Sequence, residues 1–208
     1  MQFADSGHGI DHVRRVVDNA KRIGQAERAN ANVYLPAAWL HDCVIVAKNS
    51  PQRRMASALA AKSAEQFLVE IGYPDIWIHP ISHCILSHSF SANVACETIE
   101  AKVVQDSDRL EAVGAIGLSR CLMTGGAMGQ RLYHPGQPFP IDRLPADTEQ
   151  SVDHFFAKLL GLHKTMQTNA GRIEARQRSD FLLDFLKQLA DEIGVASSEL
   201  ELAFSRIA

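Results

Sequence analysis

A His-Asp dipeptide set in an apolar helix is the first place in this chain where chemistry could occur. His41 and Asp42 stand between Ala37-Ala38-Trp39-Leu40 and Cys43-Val44. Burying an unpaired carboxylate is costly, and either a satisfied salt link or a bound cation removes that cost. Imidazole nitrogen and carboxylate oxygen together suit a divalent cation. Two other segments place the same groups among apolar neighbours. His12 lies in Ile10-Asp11-His12-Val13-Arg14-Arg15-Val16, and Asp106 and Asp108 lie in Gln105-Asp106-Ser107-Asp108-Arg109-Leu110. On a helix, Asp106 and Asp108 would point about 200° apart, so both rarely reach one ion.

The elements that must carry these groups read as helices. Val13, Val16, Val17, Ala20 and Ile23 repeat at three and four residues and make one apolar stripe. Phe181, Leu182, Phe185, Leu186, Leu189 and Ile193 make another. Residues 35–47, 54–71, 75–88, 97–123 and 150–166 also carry helical patterning. Pro36 suits a first helical turn, where its missing N–H costs nothing. No segment has convincing strand periodicity. The expectation is an all-α domain over 1–208, with a core at 1–124, a Gly/Pro-rich loop at 125–145 and a C-terminal helical hairpin at 146–208. A loop of that length is usually functional or mobile.

Composition narrows the function classes. With 46% hydrophobic and 22% charged residues, the chain has the balance of a globular protein rather than a fibrous or disordered one. A formal net charge of −3 gives no electrostatic reason to expect nucleic acid as partner. No apolar run reaches the roughly 18 residues of a membrane span, and no charged, then apolar, leader opens the chain. The expected setting is therefore cytoplasmic. Cys43, Cys84, Cys96 and Cys121 form no CxxC pair and sit among apolar neighbours, which reads as buried reduced thiols. Walker, Gly-x-Ser-x-Gly and Rossmann patterns are all lacking.

The order His12, His41-Asp42, then a distant Asp resembles the HD-domain phosphohydrolase superfamily, specifically its small bacterial single-domain branch. The likeness extends through Ala47-Lys48-Asn49-Ser50-Pro51-Gln52-Arg53, Ile85-Leu86-Ser87-His88-Ser89-Phe90-Ser91, the run from Gln105 to Gly117, and Phe156 through Thr168. It implies an HD-domain helical bundle around one divalent ion, whether Mn, Ni, Co, Fe, Zn or Mg. The implied ligands are His12, His41, Asp42 and Asp108, since the family's last Asp usually precedes a basic-apolar pair such as Arg109-Leu110. Asp106 is the alternative to Asp108 as that ligand; otherwise it orients a water or meets a second cation, and it or one of His83 and His88 assists proton transfer. His83 and His88 would bind a second ion, contact phosphate or simply pack. Five residues apart, they diverge by about 140° on an ideal helix. Lys48, about two helical turns beyond Asp42, and Arg109 would neutralise phosphate oxygens.

The implied activity is metal-dependent hydrolysis of a nucleotide or another small phosphate ester or anhydride. Two alternatives stand beside it: a phosphodiesterase acting on a cyclic or linear dinucleotide with a second metal, and a non-catalytic nucleotide-binding module. Relatives that hydrolyse the alarmone ppGpp carry an acidic pair shortly after His-Asp. Here Cys43-Val44-Ile45-Val46-Ala47 has no carboxylate, which argues against that substrate.

Overall fold

The stripe at the start of the chain folds as helix α1 (Ile10–Ala26), with Val16, Val17, Ala20 and Ile23 all buried. The structure is a computed structural model that describes residues 9–46, 54–89 and 92–206. Helix α2 (Ala31–Leu40) starts at Asn30, whose side chain accepts the Asn32 N–H. Pro36 therefore lies inside α2 rather than in its first turn. Its missing N–H leaves the Asn32 carbonyl without a helical donor. The Tyr73 hydroxyl donates to that carbonyl at 2.8 Å, so the proline is accommodated from outside the helix.

Helices α1 and α2 pack together where Gly24 faces Tyr34. A Cβ at Gly24 would stand 2.5 Å from the Tyr34 ring, which is itself buried and cannot swing away. Gly24→Ala is expected to lower stability by about 1–2 kcal/mol, because overpacking exceeds the gain in helix propensity. The midpoint of urea unfolding measures it.

Helices α3 (Ala56–Glu70), α4 (Asp75–His88) and α5 (Ile99–Arg109) follow. Helix α4 packs against α2, α3 and α5, and α1 packs against α2 and α5. These helices and the segment Gln167–Gly171 belong to one compact unit. A second unit comprises Leu110–Met166 and the chain from Arg172 onward. It holds a 3-10 turn (Leu110–Ala112), α6 (Gly114–Ala127), α7 (Ser151–His154) with a π-helical turn (Phe155–Leu159), and a 3-10 turn at Leu162–Thr165. The body of α8 (Asn169–Glu192) and α9 (Ser197–Ser205) complete it. The architecture is all-α. Among the described residues there is no strand, only an isolated bridge between Arg131 and Gln150. None of the described helices is long and apolar enough to cross a membrane.

Several boundaries differ from the sequence expectation. The single helix expected over 97–123 is divided, because Gly114 takes a left-handed φ of +70° and starts a new helix behind it. Helix α5 thus ends at Arg109, which puts Asp108 in a last helical turn. The helix expected over 150–166 is three short pieces of differing pitch. Helix α6 runs into the expected loop as far as Ala127. The rest of that loop is tied down within its own unit. Fully buried Asp153 accepts from the Arg143 guanidinium and from the Ala146 N–H at 2.7 Å. Phe139 is buried against Phe156, with ring centroids 6.1 Å apart. Of the cysteines, Cys84 and Cys96 are buried, Cys121 is half-buried, and Cys43 is exposed, against expectation. Burial pushes the Cys84 thiol up to about 12, as fits an inert core thiol.

Candidate metal centre

Three helices of the first unit place chemistry at their C-terminal ends. His41 caps α2, His88 is the last residue of α4, and Asp108 lies in the last turn of α5. Carbonyls at a helix C-terminus lack intrahelical donors and carry partial negative charge. Here those carbonyls are put to use. The His41 Nδ1 donates to the Ala38 carbonyl at 2.8 Å, and the His88 Nδ1 donates to the Ile85 carbonyl at 2.6 Å. A carbonyl only accepts, so the ring proton sits on Nδ1 and each neutral ring leaves a lone pair on Nε2. On α5, the Ser107 carbonyl accepts from Asn19 Nδ2 of α1 at 3.2 Å. That bond ties the helix of His12 to the helix end that bears Asp108.

The Nε2 atoms and the carboxylates converge. His12 Nε2 lies 3.4 Å from His41 Nε2 and 3.4 Å from Asp108 Oδ1. His41 Nε2 lies 3.6 Å from Asp42 Oδ2 and 3.9 Å from Asp108 Oδ1. One donor atom from each of His12, His41 and Asp42 falls within 4.8 Å of the other two. Ligands about 2.1 Å from one ion at tetrahedral angles are about 3.4 Å apart, so this spacing fits a first-row divalent cation. The imidazoles form the floor, with His41 fully buried, while the Asp42 and Asp108 side chains keep 26% and 31% of their exposure. The site therefore opens on its carboxylate side.

His88 adds a third imidazole. Its Nε2 is 3.7 Å from Asp42 Oδ1, and its ring centroid is 5.0 Å from that of His41 at an interplanar angle of 82°. Burial pushes the His41 imidazole below its ordinary pKa, against the pull of Asp108 and Asp42. Burial also opposes charge on His88, but Asp42, Asp108 and the Ile85 carbonyl prevail and raise it. Lone pairs and two carboxylates facing one small space repel one another unless positive charge lies among them. The donor set thus fits a divalent ion, and the cluster could hold one.

Of the other sequence candidates, Asp106 and His83 meet different partners. Asp106 points to the opposite side of α5. Its buried oxygens accept the Gln167 N–H at 3.0 and 3.1 Å, the Thr168 N–H at 2.8 Å and the Thr168 hydroxyl at 2.7 Å. Burial pushes its carboxyl up, while those donors hold it down. Gly171 permits the approach, since a Cβ there would meet Asp106 Oδ2 at 2.6 Å. The His83 Nε2 accepts the Glu97 N–H at 3.2 Å and so braces the chain after α4. Arg109 is half-buried, and its charge acts on Cys96 and Asp106. Lys48 lies outside the described residues.

Sequence reasoning missed two supports. Buried Asn19 joins α1 to α5, and Gln105 donates to the Ser87 carbonyl at 2.8 Å while accepting from Gln167 Nε2 at 2.5 Å. Each is a polar residue among buried apolar neighbours, and that pattern is the signal that could have found them.

Residues 9–113 match the family model of the HD domain, so the chain belongs to that family. It is 35% identical over 192 residues to YpgQ of Bacillus subtilis, described as uncharacterized, covering 90% of this chain and 85% of that one. A crystal structure of YpgQ in complex with ADP is similar at TM-score 0.70 and 34% identity, covering 92% of this chain and 93% of that chain. An HD-superfamily hydrolase from Bacillus thuringiensis is similar at TM-score 0.71 and 33% identity, covering 92% and 89% respectively.

Proposed function

We propose that this chain is a divalent-metal-dependent phosphohydrolase acting on a nucleotide or a similar small phosphate ester or anhydride. His12, His41, Asp42 and Asp108 would hold one cation, whose Lewis acidity readies water and draws charge from a phosphoryl oxygen when it is bound. The observation that carries this reading is the protonation pattern of the histidines. Helix-terminal carbonyls fix the Nδ1 protons of His41 and His88, which leaves Nε2 to face the two carboxylates. Such outer hydrogen bonds orient metal-ligating imidazoles.

His88 sits beside Asp42 at the site and is placed to exchange a proton with a reacting group. Asp106 acts as a positioning residue. It holds the Gln167–Thr168 segment against α5 while Asp108 faces the site from the same helix. Lys48, Arg109 and His83 keep their proposed places as phosphate contacts. The nucleotide class draws support from the ADP held by YpgQ.

The test is phosphate and pyrophosphate release, measured apart, from nucleoside mono-, di- and triphosphates with Mn, Co, Ni and Mg. Turnover that depends on added metal and is lost in Asp42→Ala supports the reading. No turnover with any metal, alongside tight retention of one nucleotide, would replace it with a binding module. A metal content of two ions per chain, with His88 required for the second, would favour the dinucleotide phosphodiesterase.

A further inference from the structure

Resting on the metal reading of the cluster, we infer that Asn19 is a positioning residue for that centre. Its carboxamide sets the separation of His12 from Asp108, and through it the affinity for the cation. Asn19 follows His12 on α1 by about two helical turns, so the two share a face. That face meets the end of α5 twice. His12 Nε2 is 3.4 Å from Asp108 Oδ1, and Asn19 Nδ2 donates to the Ser107 carbonyl at 3.2 Å. The first contact alone would let α5 pivot about it, and the second fixes the approach of the two helices.

The bond acts on Asp108 directly. The Ser107 carbonyl and the Asp108 Cα belong to one planar peptide unit, so holding the oxygen holds the plane from which the Asp108 side chain departs. Ser107 stands in the last turn of α5, where carbonyls lack intrahelical donors and helix ends fray. On the other side of the same turn, Asp106 is anchored to Gln167 and Thr168. The turn that presents Asp108 is thus gripped from two sides, one of them by the helix of His12. The same device recurs on α4. There buried Gln105 donates to the Ser87 carbonyl at 2.8 Å, in the peptide unit that leads into His88.

A second partner fixes the orientation of the Asn19 amide. Arg22 Nη2 donates to Asn19 Oδ1 at 2.6 Å, and a guanidinium only donates, so the amide oxygen faces Arg22 and the NH2 group faces the carbonyl. Asn19 is buried on α1 together with Val16, Ala20 and Ile23. Leucine is close to asparagine in shape and suits such apolar neighbours, but it has no N–H to give. Asn19→Leu therefore separates the hydrogen bond from the filling of space.

The test titrates the metal-free full chain with Mn(II) by calorimetry and records the visible absorption of bound Co(II), which reports ligand geometry. Thermal melts without metal show that each variant is folded at the titration temperature, and Asn19→Ala stands in if Asn19→Leu is not. The expected result is Mn affinity about tenfold or more weaker in the Asn19 variant, with a changed Co(II) band. Leu68→Ala is the control for lost stability alone, since Leu68 is buried on α3, which carries none of the four proposed ligands. It should bind Mn as the parent does and keep the parent's Co(II) band. Mn affinity equal to the parent's in the Asn19 variant overturns the inference and leaves the metal reading standing, as does an equal loss of affinity in Leu68→Ala. A parent protein that binds no Mn overturns both.

Discussion

His41→Ala is expected to empty the metal site and to lower phosphate release by about a thousandfold, several kcal/mol of transition-state stabilisation. The size of the effect follows from where the residue stands. Its Nε2 lies within 3.9 Å of donor atoms from His12, Asp42 and Asp108, so its loss removes the nitrogen shared by all three. The substitution also frees the Ala38 carbonyl at the end of α2, so some stability is lost with the metal. Circular dichroism of the variant separates the two effects, and His41→Asn provides a milder control. A folded variant that retains both ion and turnover would remove His41 from the chemistry.

The second large effect distinguishes two aspartates of one helix. Asp106→Ala should cost about 3–5 kcal/mol of stability, because it strands the Gln167 N–H, the Thr168 N–H and the Thr168 hydroxyl in the interior. Asp108→Ala should do the reverse. Its side chain is partly exposed, so its removal is expected to change stability little in the absence of metal while abolishing metal binding. Thermal melts with and without added Mn measure both. Saturating metal stabilises the folded state by about 2.7 kcal/mol at a hundredfold excess over Kd, so its addition raises the Tm of the parent protein. Asp106→Ala should melt early but still respond to Mn, whereas Asp108→Ala should melt normally and not respond. The opposite pattern would exchange the two roles.

Much of this site was legible in the sequence because its groups are out of place where they stand. His41, Asp42, His12 and the acidic pair at 106 and 108 interrupt apolar helical patterning, and helical geometry already requires Asp106 and Asp108 to diverge. Which of them faces the cluster is set by the rotation of α5, where Asp106 meets Gln167 and Thr168, and the chain then breaks at left-handed Gly114. An apolar pattern running continuously over 97–123 hides this break, since periodicity reports a face rather than an end. Spacing separates His83 from His88 by about 140°, but which of the two reaches the site was out of its reach. That rests on His88 being the last residue of α4, where a free carbonyl can take its Nδ1 proton. The order of the loop at 128–150 was hidden for another reason. Its anchor, Asp153, follows it in the chain, and nothing in the loop's Gly and Pro content shows that contact.

The most direct measurement is an anomalous difference map from a crystal of the protein grown with Mn(II). The account predicts a peak about 2.0–2.3 Å from Nε2 of His12 and His41 and from a carboxylate oxygen of Asp42 and Asp108. A map with no peak between those four side chains at saturating Mn, or with the ion held by other residues, would contradict it.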